Sequence, residues 1–234
     1  MSPFTSFAII ALAGLIHASF QLSISMLTLI SSHATGKQLK HRRIVRLTGG
    51  FLFGAVLATF LLISLGSFSI HALFGQSIPL LVWSIACGLM IGVGFAVWLF
   101  YYRHASGTSL WIPRPLAHFL TARSTEVVHV AEAFSLGLTS VVAEIIFIIA
   151  PLAVSSLAIV QLPAPWQFVG ALTYTILASS SLFFVYVLVG SGRSISRIQR
   201  WRETNKQFLR FIAGTALVVL SWFIYVYEVI GRSV

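Results

Sequence analysis

One acidic residue lies near the middle of a long apolar segment, and it is the residue of this chain best suited to chemistry. Glu144 follows Ser140 and precedes Pro151 in a run of mostly aliphatic and small residues. An ionised carboxylate without a partner costs several kcal/mol inside a bilayer, so Glu144 must be protonated, paired or facing water. We interpret it as a proton- or cation-binding residue, and a structural hydrogen bond to Gln21 or to a serine is the alternative.

A stripe of polar residues follows one face of the first apolar segment. Its members recur every three or four residues, which is the period of one helix face: His17, Gln21, Ser25, Thr28 and Ser32. Such a face turns away from lipid and towards the interior of a helix bundle. Two interpretations remain, namely hydrogen bonding between helices and the lining of a substrate path.

Prolines, glycines and a few hydroxyl residues predict local features of the helices. Pro151 removes one backbone hydrogen bond, which predicts a kink that is either a plain bend or a gating hinge. Thr173, Ser180 and Ser181 are candidates to line the same path from the fifth apolar segment. Close helix packing is expected at four glycines: Gly14, Gly54, Gly137 and Gly214.

Several kinds of catalytic chemistry are excluded by the residues present. Cys87 is the single cysteine, so the chain forms neither an internal disulfide nor a cysteine cluster. Without any Asp there is no Ser-His-Asp arrangement, and the scattered histidines lack zinc-ligand spacing. No phosphate loop or nucleotide motif is present. We therefore expect no enzyme and no cofactor, while the sequence leaves metal binding undecided.

Composition places these residues in a membrane protein. The chain is 58% hydrophobic and 9% charged, whereas soluble domains carry about 25% charged residues. About 20 apolar residues cross the hydrocarbon core as a helix, and six segments qualify: 6–31, 48–70, 79–101, 133–160, 167–190 and 209–230. The sequence therefore predicts an all-α integral membrane protein with six transmembrane helices.

The basic residues predict how these helices are oriented. All but one of the 15 Lys and Arg residues lie in the loops after the first, third and fifth segments or at the edges of those loops, and the exception is Arg232. Positive charge marks cytoplasmic loops, so both termini are expected outside the cytoplasm. We expect a multi-pass protein of the bacterial cytoplasmic (inner) membrane. Its net charge of +10 is explained by this orientation, so no nucleic acid is expected as a partner.

An internal similarity divides the chain into two halves. Gly14-Leu15-Ile16-His17 aligns without gaps with Gly137-Leu138-Thr139-Ser140, which brings Gln21 into register with Glu144. Three helices per half make the second half inverted, and such repeats place substrate sites near the midplane. We predict a first repeat at 1–103, a cytoplasmic linker at 104–132 and a second, inverted repeat at 133–234. A chance match between short apolar runs is the alternative.

The chain resembles a known family over nearly all of its six segments. The matching positions are Gly14-Leu15, Gly36, Phe51, Gly54, Leu65-Gly66, Phe134, Gly137, the run 170–184 and Ile212-Ala213-Gly214. They resemble CcdA/DsbD-type membrane proteins, whose scaffold is grouped with LysE-type exporters of amino acids and metal cations. The resemblance implies a scaffold with alternating access. The family's reactive Pro-Cys falls on Gln21-Leu22 here, and a thiol relay needs two cysteines, so this chain cannot perform that reaction.

The function that these observations favour is transport or export of a small solute or cation, coupled to protons through Glu144. Gln21 is expected to face Glu144, the gating role falls to Pro151, and four residues line the path: His17, Ser25, Thr28 and Ser140. The alternative is an accessory or assembly protein that binds a partner helix or lipid. The expected partners are the lipid bilayer and the solute, and a homo-oligomer is compatible with the sequence.

Overall fold

Apolar helices make up the computed structural model, which describes residues 1–20, 22–36, 40–100, 120, 122–192, 200–201 and 204–231. In chain order the α-helices are α1 (Pro3–Ser19), α2 (Leu22–Gly36), α3 (His41–Phe74), α4 (Leu80–Phe100), α5 (Val130–Ala143), α6 (Ile145–Val160), α7 (Ala164–Ala178), α8 (Ser180–Gly190) and α9 (Lys206–Ile224). A π-helix, Tyr225–Ile230, continues α9. The predicted linker lies largely outside the described residues.

The helices confirm the all-α class, with no strand among the described residues. In the part of the chain that the structure describes, three helices are long and apolar enough to cross a bilayer singly: α3, α4, and α9 with its π-helix. The number rises to six if each bent pair of helices counts as one span. The names first to sixth span denote the six predicted apolar segments in chain order, whether a bent pair crosses the bilayer or re-enters it.

Three spans are bent pairs of helices, which corrects the prediction of single helices over 6–31, 133–160 and 167–190. The axes of α1 and of Ile24–Ser31 within α2 differ by 46°, those of α5 and α6 by 77°, and those of α7 and α8 by 53°. The half-helices contain between 11 and 17 residues. At 1.5 Å per residue none reaches across ~30 Å of hydrocarbon alone, so each break lies at membrane depth if the pair crosses.

Large apolar side chains cover the outside of the helices. Phe68 on α3 is 70% exposed and Leu81 on α4 is also 70% exposed. Phe168 on α7 and Trp222 on α9 are 61% and 64% exposed. Apolar surface spread over several elements exceeds what a soluble monomer leaves to water. The exterior is therefore suited to lipid.

Two helix crossings are close because each contains a glycine. A Cβ atom on Gly137 of α5 would overlap the carbonyl oxygen of Phe51 and lie 2.9 Å from the amide nitrogen of Ala55, both on α3. A Cβ atom on Gly14 of α1 would lie 3.2 Å from the carbonyl oxygen of Tyr174 and 3.5 Å from the amide nitrogen of Ala178, both on α7. The expected close packing at these glycines is confirmed.

The two crossings use equivalent backbone atoms. In each, the glycine faces the carbonyl oxygen of a buried aromatic residue and the amide nitrogen of the alanine four residues later. Phe51 and Tyr174 are separated by the same number of positions as Gly14 and Gly137. The first span therefore packs against the fifth in the way that the fourth packs against the second.

The third and sixth spans pack against each other through a glycine pair. A Cβ atom on Gly94 of α4 would lie 3.1 Å from the carbonyl oxygen of Gly214 on α9, and one on Gly214 would lie 3.0 Å from that of Gly94. Nearby, Ser221 Oγ donates a hydrogen bond to the carbonyl of Cys87 at 2.9 Å. Reciprocal contacts of this kind hold α4 and α9 as one antiparallel pair.

Candidate functional site

Glu144 is the residue at which the fourth span breaks. Helix α5 ends just before it, and α6 begins just after it. Its amide N–H donates to the carbonyls of Ser140 and Val141 at 3.2 and 3.1 Å, and its carbonyl accepts from the amides of Phe147 and Ile148 at 2.9 and 3.2 Å. The backbone therefore turns by 77° while both polar backbone groups of Glu144 stay hydrogen-bonded.

Protein encloses the acidic side chain at this break. Glu144 is 4% exposed, so neither acyl chains nor bulk water surround its carboxyl group in this conformation. A charged group in such a place needs a proton, a polar partner or a bound cation. A carboxyl group enclosed in this way has the surroundings that a proton- or cation-binding residue requires.

The first span breaks at the end of α1, where the last carbonyls of the helix accept hydrogen bonds. Three carbonyls at the end of α1, those of Ile16, His17 and Ala18, accept hydrogen bonds from Ser19 Oγ at 2.6 Å, the Phe20 amide at 3.0 Å and Ser181 Oγ at 2.8 Å. Carbonyls at a helix end need partners from outside the helix. These three bonds satisfy carbonyls that the end of α1 leaves without partners inside the helix.

The two breaks lie side by side in the core. Phe20, at the end of α1, stacks on Phe147, in the first turn of α6, with ring centroids 6.0 Å apart and an interplanar angle of 25°. Both rings are buried, with exposed fractions of 3% and 5%. In the gapless alignment of the first and fourth spans, the two breaks also fall at matching positions. Gln21, which occupies the first break in the sequence, lies outside the described residues, so its contact with Glu144 stays a prediction.

His17 pairs with a tyrosine of the fifth span. Its Nδ1 atom lies 2.9 Å from the hydroxyl oxygen of Tyr174, and both side chains are buried. Tyr174 was not among the functional candidates predicted from sequence, although a phenol within an apolar helix needs a hydrogen-bond partner. Thr173, a candidate from sequence, is only half-buried and bonds the carbonyl of Val169 at 2.8 Å. The fifth span therefore contributes Tyr174 beside His17 and Ser181 at the end of α1, whereas the candidates from sequence were Thr173, Ser180 and Ser181.

Two of the remaining predicted residues, Ser140 and Thr28, donate hydroxyl hydrogen bonds to carbonyls of their own helices. Ser140 Oγ donates to the carbonyl of Gly137 at 2.8 Å, and Thr28 Oγ1 donates to the carbonyl of Ser25 at 2.8 Å. Ser140 and Thr28 are buried, and Ser25 is half-buried. Ser140 and Thr28 are therefore bonded within their own helices in this conformation, and their role in a substrate path stays a prediction.

Pro151 does not mark the sharp bend of the fourth span. It is buried within the continuous helix α6, seven positions after the break at Glu144. The 77° bend of this span lies at Glu144, and the gating role of Pro151 stays a prediction. The missing N–H of a proline is tolerated here because neighbouring helices of a bundle support the chain.

The His17–Tyr174 pair leads to a stability prediction. Replacing Tyr174 by Phe should lower the free energy of unfolding by about 1–3 kcal/mol, because the buried imidazole loses its hydrogen-bond partner. Denaturant unfolding of the purified protein in detergent measures this change. Tyr186→Phe is the matched control on α8, since that half-buried residue has no hydrogen bond of its side chain in the described structure. Equal stability of Tyr174→Phe and the wild type would contradict a structural bond at this place.

Comparison of the chain with protein-family models, curated proteins and solved structures gives no match. The class of the protein is therefore inferred from its own sequence and fold. Apolar helices with a lipid-suited exterior make it a membrane-embedded helical protein, with a buried acid at a helix break. The expected relation to CcdA/DsbD-type proteins stays a prediction, because these comparisons neither support nor contradict it.

Proposed function

We propose that this chain is a transporter of a small solute or cation, in which Glu144 binds the transported cation or a coupling proton. The observation that carries the proposal is the buried carboxyl at the break of α5 and α6, next to the break between α1 and α2. Secondary transporters form their sites from discontinuous helices, where half-helix ends and polar side chains replace the hydration shell of the substrate.

Equivalent contacts in the two halves of the chain support the proposal. The crossing of Gly14 with the fifth span repeats the crossing of Gly137 with the second, and the first and fourth spans break at matching positions. Three spans in each half make the second half an inverted copy, which is the architecture of many alternating-access transporters. In that architecture, the site lies where the two breaks meet.

The buried state of the centre fits one stage of an alternating-access cycle. His17, Ser140 and Glu144 are 5%, 0% and 4% exposed, so this conformation is occluded. Opening to either side requires the half-helices to move relative to their neighbours. The breaks supply hinges for that movement, because hinge residues at element ends absorb changes of backbone angle.

Accessibility of a single cysteine tests this proposal without knowledge of the substrate. Cys87→Ala removes the only cysteine and keeps the bond of Ser221, which is to the backbone carbonyl. In this background, Ser140→Cys should react with a membrane-impermeant maleimide in both right-side-out and inside-out vesicles. Alternating access brings the centre to both surfaces in turn.

A control variant and a contrary outcome define this test. Ala213→Cys, equally buried but in the packed pair α4–α9, should stay unreactive from both sides. Protection of Ser140→Cys from both sides, with the variant folded, would mean that the centre never opens. The accessory-protein alternative would then be favoured over transport.

A further inference from the structure

A groove lined by basic residues lies at one end of the helices, apart from the breaks. Its volume is about 510 Å³, and it lies between the start of α3 and the turn before α5. The lining residues are Lys40, Arg42, Arg43, Arg46, Leu47, Val128, His129 and Val130. Four permanent cations therefore border one concavity, and this described lining contains no acidic residue.

Hydrogen bonds fix the wall of the groove opposite the cations. Glu132 Oε2 accepts from the amides of Val128 and His129 at 3.0 and 3.2 Å. Arg43 Nη2 reaches across and donates to the Val128 carbonyl at 3.2 Å. The carboxylate of Glu132 is thus engaged by backbone amides, and it holds the turn on which His129 lies. The concavity is a built feature of the fold rather than a chance approach of long side chains.

The length of α3 places the groove at the membrane surface. Its 34 residues extend about 51 Å at 1.5 Å per residue, well beyond ~30 Å of hydrocarbon. Lys40 to Arg46 occupy the first turns and their cap, and the sequence becomes apolar from Leu47 onward. The cations therefore lie at the depth of lipid headgroups when the apolar part of α3 spans the core.

An apolar seam continues from the groove along α3 and α5. Phe53 lies two turns after Arg46 on the same face of α3, is 63% exposed and packs on Phe134 of α5 with ring centroids 5.7 Å apart. Val130, which borders the groove, is 39% exposed. A molecule with an anionic head and apolar tails would contact the cations and this seam together.

We propose that the basic groove binds the phosphate headgroup of an anionic phospholipid, whose acyl chains lie along the α3–α5 seam. Arginine guanidinium groups donate paired hydrogen bonds to phosphate oxygens. Basic pockets between membrane helices bind anionic headgroups in this way. A zwitterionic lipid carries no net charge to offset four cations. This binding site is independent of the proposed transport function.

Lipid binding to the purified protein in detergent tests the proposal by native mass spectrometry and thermal unfolding. Phosphatidylglycerol and cardiolipin should bind and raise the unfolding temperature, whereas phosphatidylcholine should not. Inorganic phosphate at the same concentration should do neither, because it gains nothing from the seam. Stabilisation by inorganic phosphate equal to that by phosphatidylglycerol would overturn the lipid assignment in favour of a free-anion site.

Two triple variants that remove equal charge distinguish lipid binding in the groove from general electrostatic attraction to the protein. Arg42→Gln, Arg43→Gln and Arg46→Gln together should weaken phosphatidylglycerol binding about tenfold or more. Arg200→Gln, Lys206→Gln and Arg210→Gln remove the same charge outside the groove and should leave binding near the wild-type level. Equal loss in both triples would overturn the proposal.

A single substitution tests the proposal if the triple variant of the groove arginines fails to fold. Phe53→Ser leaves every cation in place but makes the exposed seam polar, so it should weaken binding of long-chain phosphatidylglycerol. Unchanged lipid binding by Phe53→Ser would overturn the assignment of the acyl chains to the seam.

Discussion

Replacing Glu144 by glutamine should reduce coupled flux more than about 100-fold while the protein stays folded. Glutamine has nearly the shape of glutamate but neither releases a proton nor balances the charge of a bound cation. Interactions of a charged group contribute about 1.5–3 kcal/mol each, and each 1.4 kcal/mol is a factor of ten. Loss of the charge at an enclosed position therefore removes most of the affinity for a cation or proton.

The measurement uses liposomes that contain the reconstituted protein and a trapped pH-sensitive dye. Amino acids and mono- and divalent cations are added in turn, and the proton flux that each elicits is recorded. Glu228→Gln is the matched control, because Glu228 is a second buried acid, 1% exposed, in the π-helix of the sixth span. Wild-type flux in Glu144→Gln would contradict the proposed role, and so would equal loss in both variants.

Replacing Gly137 by alanine should destabilise the protein, although alanine is the better helix former. The added Cβ atom would overlap the carbonyl oxygen of Phe51, so α3 and α5 must separate. Overpacking of this kind costs about 1–3 kcal/mol. Gly88→Ala should instead stabilise by up to about 1 kcal/mol through helix propensity, since nothing lies within 4 Å of its added Cβ atom.

The order of stability of three alanine variants, measured by denaturant unfolding in detergent, checks this prediction. Gly14→Ala should fall between the other two, because its Cβ atom would lie 3.1 Å from Leu177 Cβ and 3.2 Å from the Tyr174 carbonyl. Gly137→Ala should unfold at the lowest denaturant concentration and Gly88→Ala at the highest. Equal stability of Gly137→Ala and Gly88→Ala would show that the crossing relaxes at no cost.

The apolar segments could be predicted from sequence, whereas the helix breaks could not. A run of about 20 apolar residues indicates a span whatever its internal geometry. The residues around the sharpest bend, Val142-Ala143-Glu144-Ile145-Ile146, contain neither glycine nor proline. Pro151, the local signal for a kink, lies within an unbroken helix. The position of the bend depends on tertiary contacts such as the Phe20–Phe147 stack, which hydropathy does not contain.

The candidate site was partly visible in the residue types. Glu144 could be identified because an acid is conspicuous in an apolar segment, and the structure puts it at a break. Tyr174 carried no comparable signal, since tyrosine is common in membrane helices, and only the contact with His17 across two spans distinguishes it. Sequence identifies a costly group, but the partner that lowers the cost depends on how distant helices pack.

The hydrogen bond from Ser181 to the Ala18 carbonyl has a mechanical consequence. The bond joins the first turn of α8 to the last turn of α1, so it links the break of the fifth span to the break of the first. Tilting α8 away would leave the Ala18 carbonyl without this hydrogen bond in an apolar interior, which costs free energy unless water enters. In the proposed transport cycle this bond would couple the two breaks, because movement of the fifth span would also displace the turn that carries His17.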